Sequence, residues 1–109
     1  MAAIYSGDDL ALQVTVTKDG AVLAVSGGAT VRAALIHAAT KEVIGPAACD
    51  SGATGADWDN GVIVAEFAAA DTVDMLPGPQ ILEIEILDGT LTTVQVTDIY
   101  AHRAYITNA

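Results

Sequence analysis

The stretch Pro79-Gln80-Ile81-Leu82-Glu83-Ile84-Glu85-Ile86-Leu87-Asp88-Gly89-Thr90-Leu91-Thr92-Thr93-Val94-Gln95-Val96 decides the fold. Residues 81–87 and 91–96 are two apolar-patterned runs hinged at Asp88-Gly89. Leu82, Ile84 and Ile86 point one way and Glu83 and Glu85 the other, the period-two pattern of a strand with one dry face and one wet face. Two such runs around Asp-Gly predict a β-hairpin. A two-residue loop at Asp88-Gly89 would set Leu82, Ile84 and Ile86 opposite Gln95, Thr93 and Leu91, and would put Val94 and Val96 behind the glutamates. An odd-length loop shifts the pairing by one residue and returns both valines to the isoleucine face, because a one-residue slip flips every side chain. The expected connection is therefore three residues, such as Leu87-Asp88-Gly89, with Gly89 left-handed in a bulged turn.

The rest of the chain has to cover that dry face. Residues 1–6 form a short apolar strand that stops at the turn cluster Gly7-Asp8-Asp9. In residues 10–17, Leu12, Val14 and Val16 alternate with Gln13, Thr15 and Thr17. Lys18-Asp19-Gly20 closes that strand and 21–25 returns. Residues 29–37 put Val31, Ala33 and Leu35 on one face with Arg32 outward. Residues 42–44 form a short strand expected to end at Gly45-Pro46, since proline has no donor for a central ladder, and 47–50 are extended. Residues 51–61 read as a loop carrying the only tryptophan. Residues 61–67 are apolar on both faces, Val62 and Val64 against Ile63, Ala65 and Phe67, which predicts a central strand. One or two helical turns over 69–75 end at Leu76-Pro77-Gly78-Pro79. Residues 98–106 give a last strand with Ile99, Ala101 and Arg103 on one face. Seven to nine short strands with one helical insert predict an all-β, antiparallel β-sandwich in a single domain, 1–109.

At 109 residues and 11.1 kDa the chain has room for one core. Although 52% is hydrophobic, no run approaches the ~18 apolar residues of a spanning helix. The start, Met1-Ala2-Ala3-Ile4-Tyr5-Ser6-Gly7-Asp8, lacks a basic segment followed by an apolar block, so no secretory signal is expected and the protein is read as soluble and made in the cytoplasm. Fourteen acidic residues against four basic ones give a net charge of -10, which repels phosphate backbones and anionic lipid heads. Nucleic-acid and membrane partners are excluded on that ground. Cys49 has no second cysteine to pair with and is read as a small buried hydrophobe.

The groups able to carry chemistry do not assemble in sequence. Asp57-Trp58-Asp59-Asn60-Gly61 has a fragment of the alternating oxygen pattern that calcium requires, but Glu66 is not at the distance of a distal ligand, so the segment is read as an acidic turn. His37 and His102 have no acid or cysteine at ligand spacing beside them. Ser6, Ser26 and Ser51 all lie in turns, none in a strand-to-helix elbow. Glu83 and Glu85, on the outer face of a hairpin, lack the cleft of a glycosidase pair and are read as solvated or partner-facing. No catalytic residue, metal or cofactor is therefore expected. Trp58 is either a recognition side chain in a polar loop or a cap on one end of the sandwich. The candidate interaction surface comprises Trp58, Asp57, Asp59, Glu83, Glu85 and Tyr105.

Several stretches together resemble a known group. Ile4-Tyr5-Ser6-Gly7-Asp8-Asp9-Leu10, the strand Leu12-Gln13-Val14-Thr15-Val16-Thr17, Lys18-Asp19-Gly20 and Gly28-Ala29-Thr30-Val31-Arg32 resemble the opening of small immunoglobulin-like domains in structural proteins of tailed bacteriophages. Gly61-Val62-Ile63-Val64, Ala69-Ala70-Asp71-Thr72, Leu76-Pro77 and a hairpin leading to an aromatic-containing strand are similar to the same domains, including the N-terminal domain of baseplate upper proteins. The resemblance spans nearly the whole chain through its turns and core spacing. One corner departs from it: where the group often has an aromatic after the Pro-x-Gly turn, this chain has Gln80-Ile81. The resemblance implies an immunoglobulin-like sandwich and a non-enzymatic virion component: a capsid decoration protein, or a tail, baseplate or fibre adaptor. It would work in many copies by docking on other virion proteins and on itself. The alternative expectation is a cell-surface adhesion or carbohydrate-binding module that uses the Trp58 loop.

Overall fold

The computed structural model describes residues 2–103. In chain order the elements are β1 (Ala2–Tyr5), β2 (Leu10–Thr15), β3 (Thr17–Lys18), β4 (Ala21–Val22), β5 (Thr30–His37), β6 (Val43–Cys49), a 3-10 turn (Trp58–Asn60), β7 (Val62–Phe67), α1 (Ala69–Thr72), β8 (Gly78–Asp88) and β9 (Thr90–His102). With 56% strand against 7% helix the chain is all-β. Among the described residues no helix is long and apolar enough to cross a membrane.

The hairpin β8–β9 has the parity that its valines require. Leu82 pairs with Val96, Ile84 with Val94 and Ile86 with Thr92, so both valines share the inner face with the isoleucines. The connection differs in place. Leu87 pairs with Leu91 and Asp88 with Thr90 across Gly89, whose φ is 71°, so the three residues are Asp88-Gly89-Thr90 rather than Leu87-Asp88-Gly89. Only glycine enters the left-handed region without steric cost, so the turn centres on it.

The expected last strand is instead the second half of β9. Gln80 pairs with Ile99 while Leu82 pairs with Val96, so Ile81 faces both Thr97 and Asp98 in a β-bulge. The bulge moves the inward positions from even to odd numbers, and Ile99 and Ala101 stay in the core beside Val94 and Val96. Residues 104–106 of the expected strand lie outside the described residues.

The main sheet runs β1-β9-β8-β5-β6 and curls into a half-barrel. It is not antiparallel throughout: β1 lies parallel to β9, with Ala2 opposite Ile99 and Tyr5 opposite His102. The strand expected to end at Gly45-Pro46 runs through that pair to Cys49, with a register shift opposite Ala33 and Leu35. Proline is tolerated there because β6 is an edge strand. Gly45, at φ 99°, leaves an added Cβ 3.0 Å from the Ala47 nitrogen and 3.1 Å from the Ala33 carbonyl oxygen, tight against backbone atoms and in a conformation that L side chains rarely adopt.

The second layer is the antiparallel pair β2–β7, in register from Leu10–Phe67 to Thr15–Val62. Its inward residues Leu10, Ile63, Ala65 and Phe67 share one core with Val31, Leu35, Leu82 and Ile84 of the main sheet. The strand β7 is apolar on both faces as expected, but it belongs to a two-stranded sheet rather than the centre of a larger one. Its second face is met by the 51–57 loop: Gly55 approaches Val64, and its carbonyl oxygen accepts a hydrogen bond from Gln13 Nε2 at 3.0 Å. The helix α1 begins where expected and is shorter, Ala69–Thr72, with Thr72 buried and its hydroxyl donating to the Asp8 carbonyl oxygen at 2.7 Å.

Candidate interaction surface

The outer face of the main sheet is built by the residues that alternate with the core positions of β5, β8 and β9. It carries Glu83 and Glu85 as expected, and the register sets Arg32 opposite Glu85 and Gln95 opposite Glu83. Arg32 donates to Glu85 Oε1 from Nε at 3.2 Å and from Nη2 at 2.5 Å, and Gln95 Nε2 donates to Glu83 Oε1 at 3.0 Å. An exposed pair of this kind contributes about 0–1 kcal/mol, so its main effect is to neutralise and orient the face. Each glutamate is tied to a cross-strand neighbour rather than to the other glutamate. A shallow recess of about 180 Å³ lies over this part of the face, lined by Arg32, Ala34, Ile36, Val43, Pro46 and Glu85 among others.

Apolar side chains flank these charges. Leu87 and Leu91 pair across the hairpin end and are 50% and 55% exposed. At the opposite end Tyr5 stacks on His102 with ring centroids 5.2 Å apart, and Tyr100 lies 4.9 Å from the same imidazole. Sequence reasoning missed this aromatic cluster. Residues 5 and 102 meet only through the parallel β1–β9 pairing, and no local pattern signals a parallel partner.

The Trp58 loop lies differently. Of its two readings, recognition side chain or cap, the structure shows the buried one: Trp58 is 7% exposed and belongs to the core cluster, with its carbonyl oxygen accepting from the Val25 amide at 2.8 Å. Its indole Nε1 is buried without a hydrogen-bond partner among the described residues. Asp57 and Asp59 beside it are exposed. Asp57 accepts from Asn60 Nδ2 at 2.7 Å and exchanges two backbone hydrogen bonds with Val62, both 2.9 Å, so it serves the turn. Tyr105 lies outside the described residues.

Among the described residues no group of three or more His, Cys, Asp or Glu side chains is placed to hold a metal ion. A recess of about 290 Å³ does gather His37, Glu42, Asp71, Asp74, Met75 and Gln80. Both nitrogens of His37 are committed there: Nδ1 accepts from the Thr40 amide at 3.1 Å, and the remaining Nε2–H donates to the Pro77 carbonyl oxygen at 2.9 Å. The ring therefore acts as a brace between two turns. Cys49 packs against the core, and burial, followed by the charge of Glu66, pushes its thiol up to about 11. It is a protonated thiol at neutral pH, a poor nucleophile and metal ligand.

No protein-family model matches this chain, and no curated protein is significantly similar to it.

Proposed function

We propose that the chain is a non-enzymatic structural protein of a bacteriophage particle, an immunoglobulin-like β-sandwich that decorates the capsid or adapts parts of the tail, baseplate or fibre. It acts in many copies, by docking on other virion proteins assembled with it in the host cytoplasm. The resemblance of its turns and strands to phage immunoglobulin-like domains motivates the reading, and two β layers around one core are compatible with it.

The observation that carries the docking mode is the outer face of the five-stranded sheet. Among the described residues seven large hydrophobics are exposed, and four of them, Tyr5, Val43, Leu87 and Leu91, stand on this one face. Arg32 and Glu85 neutralise each other within the face, and the Glu83 carboxylate accepts a hydrogen bond from Gln95 but keeps its charge for a partner to meet. An apolar surface whose charged groups are hydrogen-bonded within the face fits protein contact better than contact with a charged small molecule. The adhesion or sugar-binding alternative needs an indole on the surface, and the burial of Trp58 gives it no support.

The test is whether the protein co-purifies with assembled particles and appears as regular density on them by electron microscopy. Its absence from every particle fraction would refute the reading. Replacing Leu87 and Leu91 with Ser should release it from particles without unfolding it, since both side chains are already exposed.

A further inference from the structure

The two flanks of the main sheet are finished differently. On one flank β6 carries Gly45-Pro46 and a register shift, devices that deny a neighbouring strand a regular ladder. On the other flank β1 pairs with β9 only from Ile99 to His102. From Thr90 to Thr97, β9 has β8 on one side and, among the described residues, no paired strand on the other. Residues 90–97 read Thr-Leu-Thr-Thr-Val-Gln-Val-Thr. They contain no charge, proline or glycine, and six of the eight are β-branched. In a chain of net charge -10 this edge carries no charge or proline to blunt it, and its one irregularity is the bulge at its far end, Thr97-Asp98.

The core side of the same stretch is also incomplete. Val94 and Val96 pack against the core yet remain partly buried, whereas their cross-strand partners Ile84 and Leu82 are 0% exposed. A strand laid against β9 would pair its outward amides and carbonyls and cover both valines in one step.

We propose that this strand is β9 of a second copy, paired antiparallel about a two-fold axis through Val94. The open stretch is 90–97, its two central residues are Thr93 and Val94, and Val94 is the inward one. A two-fold axis at that point maps residues 91–97 onto themselves. Because Val94 faces inward, the same axis sets inward residues against inward residues, Thr92 against Val96 of the second copy, and outward Thr93 against Gln95 of the second copy. An axis between two residues would oppose inward to outward side chains. The edge is uncharged, so the repulsion between two acidic copies is not concentrated at the contact. This deepens the docking reading by naming the edge that joins copies.

Sedimentation equilibrium from about 10 μM to about 1 mM brackets the range of a weak dimer. The expected result is a monomer–dimer equilibrium. Thr93→Lys/Gln95→Lys puts like charges opposite each other twice across the axis and should weaken dimerisation about tenfold or more. Thr93→Lys/Gln95→Glu puts opposite charges there and should retain the dimer. Within the monomer position 93 lies beside Glu85 and position 95 beside Glu83, and circular dichroism checks that both variants fold alike. A monomer at every concentration, or a dimer that the two variants affect equally, overturns the assignment. That failure is separable from failure of the virion reading, because co-purification of the unmodified protein with particles does not depend on it.

Discussion

Strands β8 and β9 belong to one hairpin and share one alternation, yet they occupy different environments. β8 lies between β5 and β9, and Leu82 and Ile84 are completely buried. β9 shows the same inward alternation, with Val96 and Val94 directly opposite them, but among the described residues its first half has a single paired neighbour and its valines are only partly covered. An inward-facing position is set by the pleat of its own strand. In this hairpin the fully buried positions are on the strand that has neighbours on both sides. The half of β9 without a second paired strand among the described residues is uncharged and rich in β-branched residues, and the proposed pairing with a second copy rests on that difference.

The comparison can be broken by mutation. Ile84→Ala should cost about 3–4 kcal/mol in chemical denaturation, the usual range for emptying a closed core site. Gly61→Ala, in the other layer, should cost about 2–4 kcal/mol: an added Cβ would lie 2.8 Å from the Leu23 carbonyl oxygen, at a φ of 74° that L-residues adopt with strain. It should lower the stability of any variant in the main sheet by a similar amount, since distant sites add. Val94→Ala, on the residue paired with Ile84, should cost only about 1 kcal/mol, because it removes less side chain from a site already partly open. Equal costs at positions 84 and 94 would mean that β9 is covered as fully as β8.

The smallest effect concerns Cys49, on the protected flank. Its thiol titrates near 9.0 when unfolded and at about 11 when folded. As pH rises through that window the unfolded chain gives up its proton first, so the unfolded state binds fewer protons and stability falls. Below pH 9 the thiol should have no effect on the pH profile, and Cys49→Ala should remove its contribution to the decline above it.

The hairpin parity was legible in sequence because it rests on a local conflict: Val94 and Val96 cannot join the isoleucines across an even-length loop. The exact turn was not, since parity is unchanged when pairing shifts by two residues. Two Asp-Gly pairs make the same point. Asp19-Gly20 forms a two-residue turn with both φ values positive, 54° and 81°, and Lys18 opposite Ala21, whereas Asp88-Gly89 joins a three-residue connection in which Gly89 alone is left-handed. The dipeptide permits a turn, and the strands around it choose which one. The bulge at Thr97-Asp98 is present in the pattern as a switch of apolar residues from even to odd positions, a switch that a break between two strands produces equally well. Trp58 could be read either way, because a polar loop sequence does not reveal that the loop packs back on the core. The Tyr5–His102–Tyr100 cluster and the open edge of β9 depend on where the β1 pairing stops, a long-range property without a local signature.

Amide hydrogen exchange across β8 and β9, followed residue by residue in NMR from low to high protein concentration, tests the open edge directly. At low concentration every inner amide of β8 should be slow, while in 90–97 alternate amides, those turned away from β8, should exchange fast; at high concentration those same amides should become protected. Uniform protection across 90–97 at low concentration would contradict the open edge, and alternate amides that stay fast at every concentration would contradict its pairing with a second copy.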